Sequence, residues 1–234
     1  MSNTIGILGG MGPYATIDLF EKIVKHTPAQ KDQEHLQILI YNNPKIPPRV
    51  EAENHSFHSP LAELIKSARL LEHAGADFII MPCHTAHIWI QEIRKAITIP
   101  FYSLIENTVE ATKRQYENES RQRILLLATS TTIQAGLYQE AFKASTSTFD
   151  IIVPQQGEQR VVDRAIMDVK AGKLENSLSI QELDKIIHFY YSNGASFVLG
   201  GCTEVPLMFP YFETNMSLID PTLMLAIMAI QKAL

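Results

Sequence analysis

The sequence predicts an α/β protein built from two similar parallel-sheet halves, and three observations carry that expectation. Short β-branched runs alternate with longer helical patterns, as in parallel α/β architectures. HAGADFIIMPC at 73–83 aligns without a gap on SNGASFVLGGC at 192–202, an offset of 119. The same offset lays IGILGGMGP at 5–13 over ILLLATSTT at 124–132, in each case a strand and then a turn of small or polar residues.

Taken in order, strands are expected at 4–8, 36–41, 78–81 and 101–104, then at 124–128, 149–153, 197–199 and 217–219. Helices are expected over 14–25, where Pro13 can open the first turn, and over 60–73, 88–96 and 180–192. A third echo, SLIE at 103–106 and SLID at 217–220, has an offset of 114. Within the long windows Gly75, Ala76, Phe78 and Cys83 meet Gly194, Ala195, Phe197 and Cys202. An ancient duplication explains all three echoes. The halves are then 1–115 and 116–214, with a polar stretch at 118–121 near the seam and the tail at 215–234 packing back on the first half.

The chain has 234 residues, a net charge of −5 and only 19% charged residues. Lys and Arg are scattered, which argues against a nucleic-acid partner. No apolar stretch approaches a membrane span, and no basic segment precedes the first apolar run, so a cytoplasmic protein is expected. In that compartment the two cysteines, Cys83 and Cys202, are expected as free thiols.

Both cysteines fall beyond the carboxyl end of a strand, where parallel α/β sheets form their sites. Halves related by a pseudo-twofold axis would present the two sulfurs to opposite sides of one cleft. That arrangement suits inversion of a stereocentre, in which one group removes a proton and another returns one from the far side. Lowering a thiol from about 8.5 to ~7 takes about 2 kcal/mol, within reach of a helix N-terminus and of a substrate ammonium. No cofactor is required. A metal site from Cys83, His84 and His87 matches no common zinc spacing, so no metal is expected.

GGMGPYA at 9–15 has the form of a dinucleotide fingerprint, but the second strand runs into Asn42 and Asn43 where an acidic residue would be needed. A tight turn through Met11 that leads into a helix and faces a small anion fits better. NNPKIPPR at 42–49 is a proline-stiffened loop whose Arg49 can grip a carboxylate. Lys170 reads from the residues alone as a solvated helix-end lysine, and a cation over the cleft is its alternative. Hydroxyls in ATSTTIQAGLY at 128–138 can bind carboxylate or ammonium. His55, His58 and Trp89 are read as structural.

GILGGMGP, NPKIPPR, PCHTAH and GGCTEVPL, in that order, resemble the cofactor-independent aspartate/glutamate racemase family on its aspartate branch. The resemblance implies two flavodoxin-like halves with the site in the cleft between them. It implies racemisation of an acidic amino acid without pyridoxal phosphate, by a homodimer. By the same resemblance, Cys83 and Cys202 are the two bases and Arg49 is the ligand of the side-chain carboxylate, assisted by Lys170. Met11, Thr85, Thr132 and Thr203 line the substrate. His84 stands where the family usually has Asn, so it is a further binding residue that can titrate near neutral pH. The alternatives are a glutamate or broad-specificity racemase, another isomerase or a decarboxylase of small dicarboxylates, and a non-catalytic amino-acid sensor.

Overall fold

The computed structural model describes residues 2–49, 59–117, 120–175 and 177–234. His55 and His58, and part of the polar stretch at 118–121, lie outside the described residues. The chain divides into two compact units, Met1–Asn107 with Thr222–Leu234, and Thr108–Pro221.

The first unit runs β1 (Ile5–Gly9), α1 (Pro13–His26), β2 (Ile38–Asn42), α2 (Leu61–His73), β3 (Phe78–Ile80), α3 (Ile90–Ala96) and β4 (Phe101–Tyr102). The division falls within the next helix, α4 (Leu104–Tyr116). The second unit continues with β5 (Gln122–Leu127), α5 (Ser130–Gln134), α6 (Leu137–Ser145), β6 (Phe149–Ile152), α7 (Gln156–Lys170) and α8 (Leu178–Ser192). It closes with β7 (Phe197–Gly200), α9 (Val205–Met208) and β8 (Ser217–Ile219), after which α10 (Pro221–Ala233) returns the chain to the first unit. The boundary thus falls at Asn107 rather than 115, and β8 is a strand of the second sheet, so the returning segment starts at Thr222 rather than 215.

Each unit holds a four-stranded, wholly parallel sheet, ordered β2-β1-β3-β4 in the first and β6-β5-β7-β8 in the second. The α/β class and the paired sheets expected from the sequence are therefore present. The central strands read as continuous apolar runs because helices cover both faces of a parallel sheet. β1 and β3 are buried throughout, as are four of the last residues of β5 and all of β7.

The 119-residue offset reappears in the register. Ile5 pairs Phe78 and Ile7 pairs Ile80, while Ile124 pairs Phe197 and Leu126 pairs Leu199. It reappears again where the preceding helices stop. α2 buries Leu64, Ala68 and Leu71, and α8 buries Ile180, Leu183 and Ile187. Both end in a left-handed glycine, Gly75 at φ +96° and Gly194 at φ +86°, a conformation that costs other residues a Cβ clash. The N–H groups of Ala76 and Ala195 donate to the carbonyls of Leu71 and Tyr190, and those of Gly75 and Gly194 to Glu72 and Tyr191. One stop signal, used twice, aims the chain into β3 and β7.

The third echo is not a structural equivalence. SLIE opens α4, whereas SLI of SLID is β8 itself. Ile79 pairs Phe101 and Val198 pairs Leu218, which makes the true offset of the fourth strand 117. Three matching letters and a shared acidic fourth could not distinguish the start of a helix from a strand.

Candidate active site

β3 ends at Ile80, and three residues on, after Met81 and Pro82, comes Cys83. The sulfur belongs to a buried cluster with Leu8, Met11, Ile46, Met81 and Ala86, so the turn after β1, the loop after β2 and the end of β3 meet in one packed region. Glycine makes the β1 turn possible. A Cβ on Gly10 would lie 2.4–2.5 Å from the backbone of Asn43, and one on Gly9 would lie 2.5 Å from Thr16 Oγ1. The Gly10 N–H is taken by the Thr16 hydroxyl at 2.9 Å, so this donor is already satisfied within the fold. Arg49 lies half-buried on the loop after β2 and donates from Nη1 to the Pro47 carbonyl at 3.1 Å.

After Cys83 the chain enters a 3-10 helix, Thr85–Trp89, and only then α3, so the helix expected from residue 88 begins as a tighter coil. His84, Thr85 and His87 are all buried. His87 Nδ1 lies 2.7 Å from the Cys83 carbonyl, and the Leu104 N–H donates to His87 Nε2 at 3.0 Å. A backbone N–H can only donate, so Nε2 is the acceptor and Nδ1 carries the proton. Burial favours that neutral form and holds the His87 pKa down, at about 4. Burial, and then His87, push His84 well below the usual histidine range. The expectation that His84 titrates near neutral pH is thereby corrected. It is a neutral, enclosed ring.

In the second unit Leu199 holds the register place of Ile80, and Cys202 follows at the same interval of three. Glycines again clear the way. A Cβ on Gly201 would meet Leu126 Cδ1 at 2.4 Å and Ala128 Cβ at 2.9 Å. The Cys202 thiol donates to Glu204 Oε2 at 2.9 Å, and the Thr203 hydroxyl donates to the same oxygen at 3.3 Å. Glu204 is 1% exposed, and its other oxygen, Oε1, lies 3.9 Å from Lys170 Nζ at the end of α7. Burial first, and then the Glu204 charge, raise the Cys202 pKa well above the usual thiol range, while Lys170 pulls it back. The expectation of a thiol lowered by a helix N-terminus therefore fails at Cys202. α9 is a four-residue helix, and its N-cap position holds the Glu204 carboxylate.

Thr132 is fully buried in α5 and accepts at Oγ1 from the Thr129 hydroxyl at 3.0 Å, while Thr129 caps that helix. Cys202, Thr203, Glu204 and Lys170 form one connected group, and Met11 and Cys83 share one cluster. Lys170 is thus an ion-pair partner of a buried carboxylate rather than a solvated helix-end lysine. Trp89 packs on the first core, as a structural residue does. Among the described residues no cluster of metal-ligating side chains occurs, and no helix is long and apolar enough to cross a membrane. Two residues bonded to the cysteines escaped the sequence reading in these roles. Glu204 figured only as a letter of the GGCTEVPL motif and His87 only as a possible metal ligand.

A model of the Asp/Glu/Hydantoin racemase family matches residues 8–229. The chain belongs to this family. It is an amino-acid racemase of the type that works without pyridoxal phosphate. Over 227 residues the racemase is 26% identical to the broad specificity amino-acid racemase RacX of Bacillus subtilis (strain 168), covering 95% of this chain and 94% of that one. Its fold is similar to that of Picrophilus torridus aspartate racemase, with a TM-score of 0.84 and 30% identity, over 99% of this racemase and 94% of the other. Glutamate racemase from Francisella tularensis, solved with D-glutamate, shares the fold at a TM-score of 0.71 and 16% identity, over 98% and 80% of the two chains.

Proposed function

We propose that this racemase acts on aspartate, and that Cys83 and Cys202 exchange protons at Cα from opposite faces of the substrate. The observation that carries the reading is the duplicated placement. Strand positions matched in register, Ile80 and Leu199, each deliver a buried cysteine three residues later. A thiol pair can supply both proton transfers if each member changes protonation state in turn.

The two thiols differ in surroundings, and so in their starting roles. Burial and the Glu204 carboxylate keep the proton on Cys202, so Cys202 begins as the acid. Cys83 then takes the α-proton. For the opposite enantiomer Cys202 must be the base, and its proton has an acceptor ready at 2.9 Å in Glu204 Oε2. The S–H bond breaks, a carboxyl O–H forms, and the thiolate is left to attack Cα–H. Arg49 grips the side-chain carboxylate. Met11 at its turn, His84, Thr85, Thr132, Lys170 and Thr203 complete the substrate contacts. A cytoplasmic homodimer belongs to the same proposal.

The test is racemisation of L-aspartate with no added cofactor, in the wild type and in Cys83→Ser and Cys202→Ser. Each substitution is expected to lower the rate by about 10²–10⁴-fold, the usual weight of a general acid or base. Full activity in a double Cys→Ser variant would end the proposal. A broader substrate range is the second reading, favoured by the full-length likeness to the B. subtilis enzyme. A panel of amino-acid enantiomers separates the two.

A further inference from the structure

The turn after β5 is tied to α7 at two points. The Asp163 carboxylate accepts from the Ser130 N–H at 3.0 Å through Oδ1 and from the Ser130 hydroxyl at 2.5 Å through Oδ2. One helical turn earlier, Gln159 Nε2 donates to the Ala128 carbonyl at 2.8 Å and to Asp163 Oδ1 at 3.3 Å. The peptide groups on either side of Thr129 are thereby held by one helix. In the first unit the turn after β1 is tied instead by Thr16, on the helix that directly follows it.

Gly201 packs on the turn that Asp163 holds. β5 pairs β7 with Leu127 opposite Gly200, and Ala128 is fully buried. A Cβ on Gly201 would lie 2.9 Å from Ala128 Cβ and 3.3 Å from the Leu127 carbonyl oxygen, so only a bare backbone lets the strand ends approach this closely. Cys202 is the next residue. A shift of Ala128 therefore passes to Gly201 by direct contact, with no side chain between them to absorb it.

We propose that Asp163 is a positioning residue for the reaction: by clamping the β5 turn it sets where the Cys202 sulfur stands. The inference rests on the reading of Cys202 as one of two bases. Proton transfer requires the sulfur within hydrogen-bond reach of Cα–H, and a displacement of about 1 Å slows the step it serves. The clamp acts on the Cys202 side, so its loss raises the barrier on one face of the substrate.

The experiment compares Asp163→Ala with Asp163→Asn in the full chain. Asparagine keeps the clamp, accepting from the Ser130 N–H and donating its amide to the Ser130 hydroxyl oxygen. Asp163→Ala is expected to lower kcat on aspartate by at least roughly tenfold, and Asp163→Asn to restore it to near wild type. Primary isotope effects on kcat/KM, measured with α-deuterated L- and D-aspartate, are insensitive to the folded fraction. In Asp163→Ala the effect should rise for the enantiomer whose proton Cys202 removes and fall for the other, because the Cys202 step then limits both directions. A second measurement needs no turnover. With Cys83→Ser as background Cys202 is the sole thiol, and Asp163→Ala should speed its alkylation by iodoacetamide roughly tenfold. Asp163→Asn should not, nor should Gly194→Ala, a variant destabilised elsewhere in the same unit. Ser130→Ala, which removes one bond and no charge, should move both readouts the same way by less. Isotope effects unchanged in both directions, or an unchanged alkylation rate, overturn the inference. Racemisation that survives Cys202→Ser defeats the reading of that thiol as a base, and the alkylation rates still decide whether Asp163 sets its position.

Discussion

The imidazole of His87 donates from Nδ1 to the carbonyl of Cys83 at 2.7 Å and accepts at Nε2 from the first N–H of α4, that of Leu104. One neutral tautomer thereby ties the backbone of a candidate base to the helix that follows β4. A protonated ring has no acceptor to offer Leu104. Burial, which penalises the charged ring, lowers the His87 pKa from 6.5 to about 4. Between those values the unfolded chain binds more protons than the folded one, so stability is lost as pH falls from about 6.5 toward 4. The whole loss is about 3 kcal/mol, at 1.36 kcal/mol for each pH unit.

His87→Asn places a donor and an acceptor on the same side chain without a titrating ring. Urea melts at several pH values should show a shallower acid-side decline in this variant than in the wild type. His87→Phe, which leaves the Leu104 N–H without its partner, should lose about 1–3 kcal/mol at neutral pH and lower kcat. Equal acid sensitivity in His87→Asn and the wild type would contradict the tautomer assignment.

Glycines in the repeat divide by purpose. Gly75 and Gly194 have left-handed backbones with open space around them, nothing lying within 4 Å of a Cβ on Gly75 and only Arg123 Nη1, at 3.9 Å, near one on Gly194. Alanine at either should cost about 1–2 kcal/mol by thermal melting and leave kcat/KM near wild type. Gly201 is crowded instead, and its alanine variant must displace Leu126 or Ala128. Gly201→Ala should cost about 1–3 kcal/mol and also lower activity, because the next residue along the chain is Cys202.

Arg49 separates substrate recognition from proton transfer. Arg49→Gln should raise KM for aspartate by at least roughly tenfold, as the loss of a charge-assisted contact does, with kcat changed much less. Steady-state kinetics with aspartate and with alanine check this. A KM for alanine raised by the same factor would assign Arg49 to the common part of the substrate or to the fold.

The sequence made the sheets and the two cysteines legible because the repeated window spans a helix stop, a strand and the residues beyond it. Gly75 and Gly194 have to be left-handed, Phe78 and Phe197 start buried strands, and the cysteines follow at one fixed interval. What surrounds the sulfurs was less legible. Lys170 and Glu204 lie on different elements, and only the packed fold brings ammonium and carboxylate to 3.9 Å. The state of His87 depends on the Leu104 N–H, 17 residues further along the chain. Periodicity cannot report a tautomer. The SLIE and SLID match misled for a related reason, since a short apolar tetrapeptide serves as well at the N-terminus of α4 as within β8.

Isotope transfer tests the two-base claim most directly. L-aspartate is incubated with the wild-type enzyme in deuterium oxide, and both enantiomers are recovered early in the reaction. Removal by one thiol and return by another predicts deuterium at Cα of the D-aspartate formed and protium in the remaining L-aspartate. Protium carried across into the product, or deuterium accumulating in the recovered substrate as fast as product appears, would show a single group serving both faces and would contradict the account.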